Sequence, residues 1–127
     1  MSNKFEILAL AISKQTGAFD NPDSKAFFLQ NPLLLKAYRP EKKVDAEHYR
    51  IFTTMMGGLK AGIADLQAKC SGKNHRLTPD NSLKDMLSLF GFATDSAVRP
   101  VVLFLKRALK DESISANTPL SWFNEEN

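Results

Sequence analysis

The stretch that decides the fold is residues 45–71, DAEHYRIFTTMMGGLKAGIADLQAKCS, the longest uninterrupted helical pattern in the chain. Tyr49, Phe52, Met56, Leu59, Ile63, Leu66 and Cys70 recur at alternating intervals of three and four, which places them on one stripe of an α-helix. Asp45 stands at the N-cap position, Glu47 falls in the first turn, and Gly72 follows where a helix should stop. At about 1.5 Å per residue the pattern predicts a helix of roughly 40 Å, enough to cross a small domain. Gly57, Gly58 and Gly62 interrupt it, each costing on the order of 1 kcal/mol relative to alanine. Gly57, Ala61, Ala64 and Ala68 suggest a second, small-residue stripe roughly opposite the bulky one. Either a second helix packs closely there, or the glycines mark a kink on a wet face. Gly57-Gly58-Leu59-Lys60 has neither the Walker spacing nor a preceding strand, so it does not read as a phosphate loop.

Shorter helices are predicted on either side. Asn3 to Gln15 carries Phe5, Leu8 and Ile12 on one side and is closed by Gly17. Asn21-Pro22 and Asn31-Pro32 each match an asparagine cap followed by proline, and would start two short helices ending before Pro40. Thr78-Pro79 offers a third such start, ahead of Leu83, Met86, Leu87 and Phe90. A last long helix, from about Asp95 to Lys110, begins at Thr94 or Ser96 and holds Pro100 in its first or second turn. No segment alternates with a period of two. The expected fold is all-α: a compact single-domain bundle of five or six helices around residues 45–71. Residues 1–110 form the domain, and 111–127 a polar C-terminal tail with a short aromatic anchor.

The chain has 127 residues, of which 43% are hydrophobic, which fits one domain with one core. The net charge of +3 permits an anionic partner without demanding one. A single cysteine, Cys70, excludes an internal disulfide and fits a reducing compartment. It lies on the apolar stripe and reads as a buried, inert thiol. No segment approaches the ~18 apolar residues of a membrane span. The run Ile7 to Ile12 is too short for a signal-peptide core and carries Glu6 at its edge, so a cytoplasmic protein is expected.

Chemistry-bearing constellations are sparse. One cysteine and two histidines, His48 and His75, fall short of the four ligands of a structural zinc site. Asp45 and His48 share a face, but a solvated pair explains them. Cys70 with His75 lacks an orienting third group. No catalytic residue, metal or cofactor is expected.

Residues 83–110 resemble a helix-turn-helix. One helix ends at Phe90-Gly91, Phe92 plugs the core, and Ala93 to Ser96 turn into a second helix, which in such motifs lies in the DNA major groove. Val98, Val101, Val102, Leu105 and Leu109 fill one arc of that helix, and Arg99, Lys106, Arg107 and Lys110 the other. The turn is short for the motif, Pro100 interrupts the second helix, and cations near a helix C-terminus are stabilising in their own right. A second basic run spans Lys36 to Arg76, with nine Lys or Arg against four carboxylates, a local +5 that leaves −2 for the remainder. Candidate anion or nucleic-acid contacts are therefore Lys42, Lys43, Lys73, Arg76, Arg99, Lys106, Arg107 and Lys110. Leu120, Trp122 and Phe123 form a cluster that either covers the bundle's own core or anchors a partner or a second copy. The function these features suggest is a non-enzymatic binding or regulatory protein working through protein contacts, with nucleic-acid binding through the 83–110 segment and basic surfaces as the alternative and a small enzyme of unknown reaction as the second.

Overall fold

Phe5, Leu8, Ala9, Ala11, Ile12 and Ser13 are all buried in the first helix, α1 (Lys4–Thr16), so it is enclosed over most of its circumference. The protein, described by a computed structural model over residues 4–40, 42–73 and 76–125, is an all-α bundle. Its further elements are α2 (Lys25–Phe28), α3 (Met55–Cys70), α4 (Leu83–Leu89), α5 (Asp95–Leu109) and a 3-10 helix at Leu120–Asn124. Helices α5 and α3 pack on α1, as do α2 and the 3-10 helix over shorter lengths. Gly17 leaves α1 in the left-handed region (φ +79°), and its carbonyl accepts from Asn21 N and Ser24 Oγ to start the turn into α2.

The long helix α3 begins ten residues later than its apolar spacing predicts. Asp45 is not its N-cap. The Asp45 carboxylate accepts the backbone N–H groups of Glu47 (3.0 Å) and Tyr49 (2.9 Å), and His48 takes a left-handed conformation (φ +69°). Arg50 N and Phe52 N then donate to the carbonyls of Leu35 and Leu29, bonds that a helix would have kept within itself. Residues 49–54, Tyr-Arg-Ile-Phe-Thr-Thr, are aromatic or β-branched at five of six positions, a composition that favours extended backbone. Thr54 is the N-cap, its side chain accepting from Gly57 N at 2.9 Å.

The buried face of α3 also differs from the bulky stripe. Gly58, Gly62, Leu66 and Cys70 face inward at intervals of four, whereas Met56 is 60% exposed and Leu59 and Ile63 are half-buried. What approaches over the glycines is a turn, not a helix. A Cβ on Gly58 would lie 2.1 Å from the Gln30 carbonyl oxygen and 2.8 Å from Pro32 Cδ; one on Gly62 would lie 2.8 Å from a Leu33 methyl.

That turn is shaped by Asn31. Its fully buried amide donates to the carbonyls of Leu35 and Arg50 (both 2.9 Å) and accepts from Leu35 N (2.9 Å). Asn31-Pro32 therefore starts no helix, and Leu34 at φ +53° breaks any helical run from 33 to 38. The segment pairs instead with residues 48–50, through the Lys36–Tyr49 bridge and the bonds of Ala37 N to His48 O and Arg50 N to Leu35 O, while Val44 and Arg50 bridge each other. In α2 the cap is Ser24, accepting from Phe27 N, while Asn21 Oδ1 holds Asp23 N. Thr78-Pro79 likewise starts no helix; α4 starts at Ser82, in a reciprocal capping box with Asp85.

Residues 111–125 are part of the core, not a polar appendage. Ile114, Leu120 and Phe123 are buried in the same cluster as Leu8, Leu66 and Leu87. Leu83 N and Lys84 N donate to Thr118 O and Ala116 O, and Leu120 N donates back to Asn81 O. Asn124 Nδ2 reaches the Cys70 carbonyl at the end of α3 (2.7 Å). Lys4, itself buried, donates to the Trp122 carbonyl (2.9 Å) with its ammonium 3.8 Å from the indole ring centre. Leu120 and Phe123 are thus already occupied by the protein's own core and are not an anchor for a partner.

Two outcomes follow from this packing. Gly58→Ala should destabilise by about 1–3 kcal/mol or more, because the clash is with backbone, and by more than Gly62→Ala, where a leucine methyl can turn aside. Leu66→Ala should lose about 2–5 kcal/mol and Met56→Ala under about 0.5, all read by chemical denaturation. The second outcome concerns pH. Hydrogen bonds from Ser82 N and the Asn81 side chain hold the Asp85 carboxyl below its ordinary pKa of 3.8. A depressed folded-state pKa adds stability above the unfolded value and loses it as pH falls through the folded one. The stability gap between wild type and Asp85→Asn should therefore be full at pH 6 to 7 and close below about pH 4. A gap that persists in acid would show that the box holds the helix without the charge.

Candidate functional site

Two surface features stand out from this fold. The first is an aromatic face. In a helix as short as α2, Ala26 and Leu29 point inward at i and i+3, so Phe27 and Phe28 between them must point out. Phe28 is 82% exposed, and Phe27 and Phe19 are exposed beside it. With Pro22, Gln30 and Met55 they line a shallow apolar hollow. Asp20 and Asp23 are exposed in the same loop and form ion pairs with none of the described residues. Lys25 on this helix is engaged, by Glu47 and by Asp45 at 3.2 Å. The Glu47 hydrogen bond, opposed by lost hydration and aided by Asp45, keeps the Lys25 pKa above its ordinary value.

The second feature is a cationic cleft of about 550 Å³. Its walls are the extended residues 34–38, the C-terminal half of α3 and the turn from α4 toward α5. Lys36, Lys69 and Arg76 line it against one carboxylate, Asp65. Lys69 is 8% exposed; it pairs with Asp65 one turn earlier and sits 4.8 Å from the Phe90 ring centre. Lys36 lies 4.8 Å from the ring of Tyr49, directly across the bridge that joins their backbones. Tyr38 is 71% exposed at the rim and packs against His48 with the rings tilted by 33° and their centres 4.6 Å apart.

The eight cations singled out from the sequence do not come together. Arg76 lines the cleft with Lys36 and Lys69. Arg107 shares a shallow groove with Lys14, whose ammonium lies 5.6 Å from the Phe104 ring centre. Lys42, Lys43, Lys73, Arg99, Lys106 and Lys110 line neither hollow. In the 83–110 segment, α5 lies along α1, and Pro100 occupies its second turn. Lys110 closes α5 in the left-handed region (φ +52°), its N–H bonded to Lys106 O, so it serves as the helix cap.

The cleft residues carried a sequence signal of short range. Lys36-Ala37-Tyr38 puts a cation and an aromatic two apart, on one side of an extended chain. A helical reading of 33–38 separates them onto different faces and hides the pairing. The aromatic face had none, because Ala-Phe-Phe-Leu reads as core until the helix is known to be one turn long.

The remaining candidates for chemistry are engaged in structure. The Asp45 carboxylate loses some hydration, which raises its pKa, but the N–H groups of Tyr49 and Glu47 together with Lys25 outweigh this and leave it lowered. His75 lies outside the described residues. No group of three or more metal-ligating side chains is found among the described residues, and no helix there is long and apolar enough to cross a membrane. Cys70 is fully buried, and burial pushes its thiol up to about 12, despite the nearby Lys69 charge. Its reaction with a maleimide or disulfide reagent at pH 8 should therefore be limited by opening of the fold, rising steeply with denaturant. Rapid labelling of the native protein would show that the thiol is reached without such opening.

Comparison with family models, curated proteins and solved structures finds no match to this chain.

Proposed function

We propose that this protein is a non-enzymatic binding protein that acts through protein–protein contact, with the aromatic face of α2 as its contact surface. The observation that carries the reading is the outward placement of Phe19, Phe27 and Phe28 around one hollow, a cluster of three among the few large apolar residues the fold leaves exposed. A contiguous apolar patch rimmed by polar residues is the ordinary mark of an interaction site, and aromatic side chains contribute most of the binding energy at such sites. Nothing within the fold requires the three rings to be exposed. Ala26 and Leu29 alone supply the burial that α2 needs. The uncommitted carboxylates of Asp20 and Asp23 beside the patch favour a partner segment that joins apolar side chains to lysine or arginine. Desolvated apolar contacts supply affinity there, and the exposed charges chiefly supply orientation and encounter rate.

The Phe27→Ser, Phe28→Ser double variant tests this. Both rings are exposed, so its melting temperature should stay close to wild type. Used as bait in lysate of the native cell, the wild-type protein should retain a partner that the double variant loses and that salt of about 0.5 M leaves in place, because an apolar contact is little screened. The same set of proteins captured by both baits, with the wild type monomeric at every concentration by sedimentation, would rule out this surface.

A further inference from the structure

We propose that the cleft between residues 34–38, α3 and the α4–α5 turn is a binding site for one nucleotide unit: a phosphate held by Lys36, Lys69 and Arg76, with its base stacked on Tyr38. The inference is separate from the aromatic face of α2 and stands or falls on different residues.

Charge gives the first argument. Three cations and one carboxylate leave the cleft at +2, close to the −1.5 to −2 that a phosphate monoester carries near neutral pH. A concave site focuses such a field more than a flat surface does, so a small anion is concentrated there. Preorganisation gives the second. Long cationic side chains ordinarily lose much rotamer freedom on binding, but here two of the three are already held over aromatic rings, Lys36 on Tyr49 and Lys69 on Phe90. Lys69 adds a nearly buried cation paired with Asp65, so the cleft wall is charged where water is scarce. The third argument is the aromatic rim. Tyr38 rests against the tilted ring of His48 yet remains 71% exposed, an aromatic platform at the mouth of the charged hollow. A planar base stacks on such a ring regardless of its sequence identity. Volume agrees, since about 550 Å³ lies within the usual range of roughly 300–1,000 Å³ for small-ligand sites. A monocarboxylate would match the charge poorly, and an inorganic anion or aliphatic dicarboxylate would leave Tyr38 unused.

A free mononucleotide and one residue of a single strand share a base and a phosphate, the monoester matching the cleft charge and the strand's diester carrying only −1, so the test has an arm for each. Calorimetric titration would use AMP, inorganic phosphate and single-stranded oligo-dA of about fifteen nucleotides at low salt. Saturable binding of AMP, the oligonucleotide or both is expected, at least tenfold tighter than phosphate alone. Lys36→Glu and Tyr38→Ala, both at exposed positions, should each weaken it about tenfold or more with the melting temperature unchanged. Arg99→Glu, on the outer side of α5, should leave it as it is. AMP binding alone assigns the site to a free nucleotide, and oligonucleotide binding alone assigns it to a single strand. The proposal is overturned if neither probe binds below millimolar concentration, if phosphate binds as tightly as AMP, or if Arg99→Glu weakens binding while the two cleft variants do not.

Discussion

The contact between the backbone of α3 and the Gln30–Leu33 turn constrains everything else in the fold. Two chain segments normally stay apart by the thickness of their side chains; here Gly58 removes that spacer and lets a carbonyl oxygen reach the helix surface. The approach tolerates little error, so the turn must be rigid. Asn31 makes it so, with three hydrogen bonds from a side chain that has no access to water. Leaving any of those polar atoms unpaired in such a place would be expensive, which ties the 31–35 turn to the strand-like residues at 50. Those residues in turn leave α3 no room to start before Thr54. One glycine and one asparagine thus decide where the longest helix begins and which of its faces turns inward.

How far this was legible follows from the range of the interactions involved. Helix α1 and the apolar arc Val98-Val101-Leu105 obey short-range rules and are placed by the sequence reading, as is the start of α5 to within the choice between Thr94, the actual cap, and Ser96. The inward face of α3 does not. Its periodicity is genuine, but a glycine that permits contact with a turn thirty residues away looks locally like a defect. Residues 45–54 continue the three-four spacing by coincidence, and their long-range bonds to Leu35 and Leu29 prevail over it. Asn31-Pro32 shows the same limit, since an asparagine before proline caps a helix when exposed and braces a turn when buried. The 111–125 segment misleads through composition. It is polar at most positions, yet Ile114, Leu120 and Phe123 are spaced to dip into the core one at a time. Site residues were harder still, because both surface features depend on which residues of a short element point outward.

The aromatic face and the cationic cleft meet at Tyr49. Its ring has Lys25 at 5.0 Å and Lys36 at 4.8 Å, the first belonging to α2 and the second to the cleft. Lys25 is neutralised by Asp45 and Glu47, whereas Lys36 has no carboxylate partner among the described residues. The segment from Lys36 to Arg50 therefore separates a side where charge is balanced from a side where positive charge is left over. Part of the chain's modest net charge of +3 is in this way gathered into one concavity.

The contact of Lys4 with Trp122 joins residues 118 positions apart, and the core it closes takes in side chains from both α1 and the 3-10 helix. Such a topology bears on synthesis. A chain emerging from the ribosome presents Leu8 and Ile12 before the elements that cover them, first α2 and α3, then α5, and the 3-10 helix last. The burial of α1 can therefore build up as α3 and α5 emerge, while the Lys4–Trp122 contact has to wait for the 3-10 helix. That contact is a late closure on a helix already partly covered.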